Sequence, residues 1–223
     1  MNQPNLLIAR KVFPSTMERL TSHFQIHANE ADVIRPREEF IALASQADAL
    51  FISGGERIDR ALLEQCPRVR MIATGTVGFN HIDLAACAER GIIVSNTPDV
   101  LNDATADMAW ALLMAAARRI TEVERWLRDG KWDRWAFDQL LGREVFGATL
   151  GVIGMGRIGS AVAHRARGFE MPVIYHNRNR AADEGGATWR PLNDLLAEAD
   201  FVVLLTPYTC LLYTSPSPRD RTR

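Results

Sequence analysis

The feature that most constrains the fold is a run of three glycines directly after a short apolar stretch. Gly154, Gly156 and Gly159 form the pattern G-x-G-x-x-G behind the apolar residues 150–153. A helix from Ser160 to Arg167 is predicted next, followed by a second apolar strand. A strand, a glycine-rich turn, a helix and a second strand in this order typically bind the pyrophosphate of a dinucleotide. The helix would direct its N-terminal N–H groups and positive dipole end at the phosphates.

Each glycine of this run has an expected role. Gly154 would allow the tight turn, Gly156 would let the backbone approach the phosphates, and Gly159 would let helix and strand pack closely. A glycine-rich turn also occurs for purely structural reasons, but the flanking strands and helix favour a nucleotide site. The predicted phosphate-binding loop consists of Gly154, Met155, Gly156, Arg157, Ile158 and Gly159.

The end of the second strand indicates which nucleotide is bound. An acidic residue there would accept hydrogen bonds from the adenosine ribose and favour NAD(H). The chain has Asn177 at this place, with Arg178 and Arg180 directly after it. No carboxylate would repel a 2′-phosphate, and two guanidinium groups could clamp one. NADP(H) is therefore the preferred cofactor, NAD(H) remains possible, and the alternative is that both arginines belong to a solvated loop.

Composition sets the broad class. The chain has 223 residues, 47% of them hydrophobic, enough for a substantial core divided between two domains. A net charge of −1 gives no electrostatic reason to expect nucleic acid or an anionic membrane as partner. Cys66, Cys87 and Cys210 are far apart, so neither a disulfide nor a metal site is expected. Without a signal-like segment or a long apolar run, a soluble cytoplasmic protein is expected.

The first hundred residues alternate short apolar runs with helical patterns. A capping box of Ser15 and Glu18 predicts the start of the first helix, which would also carry His23 and His27. Repeated strand–helix units predict an α/β fold with a parallel sheet covered on both faces. Strands are predicted at 6–9, 49–53, 69–74 and 92–95, and further helices at 37–47, 59–65 and 82–90.

A domain boundary is predicted near residues 96–99. Beyond it, apolar residues recur at helical spacing from Ala104 to Arg128, which predicts one unusually long helix. A long helix with an apolar stripe usually buries it against another domain or subunit, so a homodimer through this helix is expected. The nucleotide-binding unit follows, and it is continued by a predicted helix at 191–199 and a strand at 201–205.

Three segments together resemble one protein family. Residues 75–83, GTVGFNHID, resemble a loop of the D-isomer-specific 2-hydroxyacid dehydrogenases. Residues 96–107, NTPDVLNDATAD, resemble the segment by which that family's chain enters its cofactor domain. The GMGRIG turn and the HNRNR strand end are most similar to the glyoxylate/hydroxypyruvate reductase branch, which commonly uses NADPH.

The resemblance implies two Rossmann/flavodoxin-like domains. Residues 1–97 would form the substrate domain and 98–207 an incomplete NAD(P)-binding Rossmann domain. The implied reaction is NADPH-dependent reduction of a small 2-oxo acid, glyoxylate or hydroxypyruvate, to a 2-hydroxy acid. Substrate-binding residues would be Ser53, Gly54, Gly55, Val77 and Gly78, and Thr105, Thr206 and Pro207 would join the cofactor-binding residues.

The pattern of the family breaks after Pro207. The resemblance implies a catalytic arginine, glutamate and histidine beyond this point, yet residues 208–223 contain no glutamate and no histidine. Ser-Pro-Ser-Pro-Arg-Asp-Arg-Thr-Arg lacks periodicity, which predicts a non-native, disordered tail. This chain is therefore expected to be C-terminally truncated and inactive. The alternatives are a non-catalytic NADP(H)-binding or dimerisation module and a genuine basic tail that binds a partner.

Overall fold

A computed structural model describes residues 3–207 of the chain. Contacts between residues divide the chain into two units, Met1–Val100 and Leu101–Arg223. This division lies close to the predicted boundary at residue 97. Within the described residues, no helix combines the length and the apolar character that crossing a membrane requires.

The first unit is a five-stranded parallel sheet with helices between consecutive strands. The strand order is β2-β1-β3-β4-β5, so the chain first adds β2 on one side of β1 and then builds outward on the other. Its elements are β1 (Asn5–Ile8), α1 (Pro14–Thr21), β2 (Gln25–His27), α2 (Arg37–Ala44), β3 (Ala49–Ile52), α3 (Arg60–Gln65), β4 (Met71–Thr74), α4 (Leu84–Glu89) and β5 (Ile93–Ser95).

The core of this unit is built from central strands and the helices that cover them. Leu50 and Ile72 pair across β3 and β4 and are almost completely buried, as are Leu62 and Leu63 on α3. Burying each such side chain contributes about 1.5–3 kcal/mol. The strands read as continuous apolar runs, and this pattern made them predictable. Burial alternates along β3, and Met71 of β4 and Ile93 of β5 are exposed, so within the described residues the second face of the sheet is covered only in part, contrary to the prediction.

Two further predictions for the first unit are wrong. The helix α1 begins at Pro14 with Phe13 as N-cap and has no side-chain cap, so Ser15 and Glu18 form no capping box. Proline at the first helical position fixes the start of the helix, which places Ser15 inside the first turn. The helix also ends before His23, and His27 lies in β2, a strand of three residues that is too short for its alternation to be recognised.

The second unit is a four-stranded parallel sheet in the order β8-β7-β6-β9. Together with the first unit, it confirms the predicted α/β class with parallel sheets. Its elements are α5 (Asn102–Ala117), α6 (Ile120–Arg128), β6 (Leu150–Ile153), α7 (Arg157–Ala166), a single 3₁₀ turn (Arg167–Phe169), β7 (Val173–His176), β8 (Thr188–Trp189), α8 (Leu192–Glu198) and β9 (Phe201–Leu204).

The single long helix predicted from Ala104 to Arg128 is wrong, because the chain forms two helices there. Arg119 separates α5 from α6 and has a left-handed backbone, with φ of 54°. Its guanidinium group pairs with Glu122 and donates to the Leu141 carbonyl, and these contacts hold the break in place. The Arg143 N–H also donates a hydrogen bond to the Ala117 carbonyl at the end of α5, at 2.7 Å. Apolar periodicity continues across this break and cannot reveal it.

The helix α7 is held against α5 by a small set of specific contacts. The indole N–H of Trp110 donates to the Val162 carbonyl at 3.1 Å, and the Trp110 ring stacks on Phe169 with centroids 4.8 Å apart. The guanidinium group of Arg165 reaches Asp107 on α5 at 2.7 Å. These contacts fix the position of the helix that follows the glycine-rich turn.

Candidate functional site

The carboxyl ends of the strands in the second sheet bring three sequence-predicted segments together. β7 and β9 lie on opposite sides of β6, so the direction in which the sheet is built reverses at β6. Ligands of open parallel sheets bind in the crevice at such a reversal. Gly154 follows β6, Asn177 follows β7, and Thr206 follows β9 at this edge.

Two of the three glycines of the turn, Gly154 and Gly159, meet the steric requirements that the sequence predicted. Gly154 has φ of +102°, and a Cβ on it would lie 2.8 Å from the Leu205 carbonyl group. A Cβ on Gly159 would lie 2.3 Å from the Gly154 oxygen, so the tight turn and the close packing of α7 both require glycine. A Cβ on Gly156 would meet no atom within 4 Å. The side of the turn at Gly156 is therefore open to a ligand.

The start of α7 is suited to an anion. The helix begins at Arg157, three residues before the predicted start at Ser160, and Gly156 is its N-cap. No side chain of the described residues caps this end, so the positive end of the helix dipole faces the open side of the loop. Met155 is buried, Ile158 is half-buried and Arg157 is exposed. The open cradle at Gly156 and the uncapped helix fit the pyrophosphate of a dinucleotide.

Asn177 has a role that the sequence did not reveal. Its side-chain oxygen accepts the Met155 N–H at 2.7 Å, and its amide nitrogen donates to the Met155 carbonyl at 3.2 Å. The side chain thus fastens the strand end to the phosphate-binding loop through two hydrogen bonds. Because its amide is engaged in this way, Asn177 acts on the loop directly, and its contact with a cofactor stays a prediction.

The two arginines after Asn177 carry uncompensated charge. Arg178 and Arg180 are exposed, and no acidic side chain between residues 3 and 207 forms an ion pair with either of them. Arg190, by contrast, is neutralised by Glu198 at 3.0 Å. The backbone beyond the arginines is held by the buried Tyr175, whose hydroxyl donates to Glu184 and accepts the Ala181 N–H. The strand end therefore presents positive charge on an anchored segment.

The predicted substrate loops lie at the carboxyl edge of the first sheet. Ser53, Gly54 and Gly55 directly follow β3, and Val77 and Gly78 lie in the loop after β4. β3 and β4 are neighbours in a parallel sheet, so their carboxyl ends share one edge. The structure therefore places both predicted loops on the same edge of the first unit.

Ser53 is less available than the sequence predicted. The carboxylate of Glu56 accepts both the Ser53 N–H, at 2.8 Å, and the Ser53 hydroxyl, at 3.0 Å. A carboxylate of the chain itself thus occupies the donor that was assigned to a substrate carboxylate. Gly54 and Gly55 are exposed at the same turn, and their binding role stays a prediction.

The loop after β4 is held by a polar network that sequence reasoning missed. The hydroxyl of the buried Thr74 lies 2.6 Å from the Thr76 hydroxyl and 3.3 Å from Nε2 of His81. The Asn96 amide donates to the Val77 carbonyl at 2.9 Å. Burial lowers the pKa of His81, which favours the neutral imidazole at pH 7. His81 therefore stabilises the loop that carries Gly78.

The remaining predicted residues lie at the borders of the second unit. Thr105 is half-buried in the first turn of α5, and its N–H donates to the Leu101 carbonyl at 2.9 Å. The backbone N of Thr206 lies 2.9 Å from where a Gly154 Cβ would be, so Thr206 adjoins the glycine-rich turn. Pro207 is the last residue described. The predicted tail and Cys210 lie outside the described residues, and so does the region after Pro207 in which the resemblance implies a catalytic arginine, glutamate and histidine.

Comparisons with known proteins agree with this geometry. Residues 110–211 match the family model of the D-isomer specific 2-hydroxyacid dehydrogenase, NAD binding domain. A glyoxylate reductase from Paecilomyes thermophila has a solved structure that superposes with a TM-score of 0.80 at 31% identity. That match covers 95% of this chain and 67% of that one. The chain belongs to the D-isomer specific 2-hydroxyacid dehydrogenase family.

Curated members of this family match along almost the whole chain. The glyoxylate reductase of Thermococcus kodakarensis is 44% identical over 214 residues, and that of Pyrococcus furiosus is 41% identical over 214 residues. Each match covers 93% of this chain and 64% of the relative. The chain thus spans somewhat less than two thirds of the length of these dehydrogenases.

We predict that Gly159→Ala strongly destabilises the second unit. The added Cβ would meet a backbone oxygen, which cannot rotate away, so a loss of about 3 kcal/mol in the free energy of unfolding is expected. Urea denaturation measures this loss. The matched control is Gly168→Ala, because a Cβ there meets no atom within 4 Å. Equal stability of the two variants would contradict the close contact between α7 and β6.

We predict that Tyr175 stabilises the fold only below alkaline pH. Burial and the neighbouring Glu184 raise the pKa of Tyr175. A raised folded-state pKa means full stabilisation below the unfolded value of about 10, which is lost as the pH rises further. Tyr175→Phe should be less stable than wild type by about 1 kcal/mol near pH 8. The difference between the two proteins should shrink above pH 10, and a pH-independent difference in urea denaturation would contradict this.

Proposed function

We propose that the chain binds NADP(H) and that the intact protein reduces a short 2-oxo acid to a 2-hydroxy acid. The observation that carries this proposal is the uncompensated pair Arg178 and Arg180 beside the open cradle at Gly156. When bound, NADPH supplies a hydride for C2 of the oxo acid. Asn177 contributes no negative charge that would repel a 2′-phosphate.

The proposed substrate class is glyoxylate or hydroxypyruvate. Support comes from relatives that are named glyoxylate reductases and are 41–44% identical to this chain. The exposed backbone of Gly54 and Gly78 is proposed to donate hydrogen bonds to the substrate carboxylate, and the Gly55 N–H, which donates to the Ser53 hydroxyl at 3.4 Å, would join them by changing its partner. Glycine suits this role because no side chain separates the backbone from the ligand. The neutral His81 supports the Gly78 loop without placing a charge next to the anion.

A homodimer through residues 104–128 remains part of the proposal. The break at Arg119 changes the shape of this surface but leaves it apolar, since Leu112, Ile120 and Leu127 are each at least half exposed. Apolar residues that a chain leaves exposed together on neighbouring helices often mark an interface with another protein. A second copy of the chain is the occupant that the family resemblance implies.

We expect the chain to bind 2′,5′-ADP at least tenfold more tightly than 5′-AMP, a difference of about 1.4 kcal/mol. The two nucleotides differ only in the 2′-phosphate, so their dissociation constants isolate its recognition. Arg178→Ala and Arg180→Ala should each reduce the preference, and added salt should reduce it as well. Arg143→Ala, an exposed arginine elsewhere in the second unit, is the matched control. Equal affinities of wild type for the two nucleotides would refute NADP(H) selection.

A non-catalytic NADP(H)-binding or dimerisation module is the second candidate function. It needs only the open cradle at Gly156 and the two exposed arginines, Arg178 and Arg180. If this candidate is right, the polypeptide of residues 1–223 binds NADPH without oxidising it in the presence of glyoxylate. Absorbance at 340 nm measures turnover, and the Thermococcus kodakarensis enzyme provides the positive control. Turnover by the chain itself would exclude the binding-module alternative.

A further inference from the structure

Trp189 lies beside the strand end that carries the two arginines and makes three contacts with it. The indole N–H donates to the Asn177 carbonyl at 3.2 Å. The guanidinium carbon of Arg180 lies 5.4 Å from the centre of the Trp189 ring, within the range of a cation–π contact. The His176 ring lies 6.1 Å away in a tilted arrangement. One side chain thus contacts the residues before, at and after the point where the cofactor would be distinguished.

The contact with Asn177 links Trp189 to the phosphate-binding loop. The main-chain carbonyl of Asn177 is held by Trp189, while its side chain is held by both backbone groups of Met155. Asn177 is therefore fixed through its backbone and its side chain at once. A substitution of Trp189 would therefore affect the glycine-rich turn through one intervening residue, Asn177.

The contact with Arg180 restricts a side chain that would otherwise sample many rotamers. A guanidinium group that is attracted to an aromatic face still has N–H donors available for other partners. Those donors are the groups that bind a phosphate in bidentate geometry. Beyond Arg180, the Ala181 N–H is held by the Tyr175 hydroxyl at 3.0 Å. The short segment 178–180 thus lies between Asn177 and Ala181, whose backbones are held by hydrogen bonds. The guanidinium group of Arg180 lies over the Trp189 ring.

We propose that Trp189 is a positioning residue that orients Arg180 toward the 2′-phosphate of NADP(H). This inference rests on the proposed NADP(H) preference and assigns a cause to part of it. Arg190, the cation next to Trp189 in sequence, is paired with Glu198 and is not available for the same task. Trp189 therefore positions Arg180, which has no acidic partner in the described part of the chain.

The test compares the dissociation constants of 2′,5′-ADP and 5′-AMP by calorimetry for wild type, Trp189→Leu, Trp189→Phe and Arg180→Ala. Trp189→Leu should lower the preference for 2′,5′-ADP over 5′-AMP about fivefold through loss of the cation–π contact, whereas loosening of the loop through Asn177 should weaken both nucleotides equally. Trp189→Phe keeps an aromatic face and should retain most of the preference. In the Arg180→Ala background, Trp189→Leu should cause no further loss, because the two residues act as one unit.

Each outcome bears on a different claim. Equal binding of both nucleotides by wild type would refute the proposed cofactor preference. The role of Trp189 would be refuted if the preference for 2′,5′-ADP survives Trp189→Leu. It would also be refuted if the effects of Trp189→Leu and Arg180→Ala on this preference add fully. Neither result would contradict the proposed cofactor preference. Equal weakening of both nucleotides would show that Trp189 only supports the fold. If Trp189→Leu does not melt cooperatively, Trp189→Met removes the aromatic face with a side chain of longer reach, and the same outcomes apply.

Discussion

The close approach of α7 to β6 is the constraint on which the second unit depends. The Gly154 carbonyl occupies the space that a Cβ of Gly159 would need, so strand and helix meet at backbone distance. On its other side, α7 is held by the Trp110 indole and by Arg165. The N-terminus of α7 is therefore positioned by packing within the protein. A ligand that binds there meets donors already in place, which reduces the entropy cost of binding.

Much of the fold was predictable because it depends on local patterns. Buried parallel strands are continuous apolar runs, and the strands at 49–52, 71–74 and 150–153 were found for this reason. Backbone features without a hydrophobic signature were not predictable. Arg119 adopts a left-handed conformation although it is not glycine, and β2 has one apolar residue among three. Periodicity reports which side chains are buried and carries no information about a single φ angle.

The candidate site, like the fold, has some features that the sequence predicted and others that it did not. Glycine positions in the turn followed from the motif, since each answers a local steric requirement. The partners of Asn177 and Ser53 did not follow, although Glu56 is only three residues from Ser53. Sequence reasoning treated Asn177 as a missing charge and Ser53 as a free donor. Hydrogen bonds between side chains and a folded loop depend on loop geometry, and the identity of the residues does not specify that geometry.

The choice of asparagine at position 177 unites the structural and electrostatic requirements of the site. Its side chain must accept the Met155 N–H and donate to the Met155 carbonyl at the same time. An ionised aspartate could accept but not donate, and it would place a negative charge beside Arg178. A serine has one hydroxyl and shorter reach. An amide is the side chain that satisfies both backbone groups without charge. The same residue therefore closes the loop and leaves the positive potential of the arginines intact, so loop stability and the proposed preference for a phosphorylated ribose are coupled through Asn177.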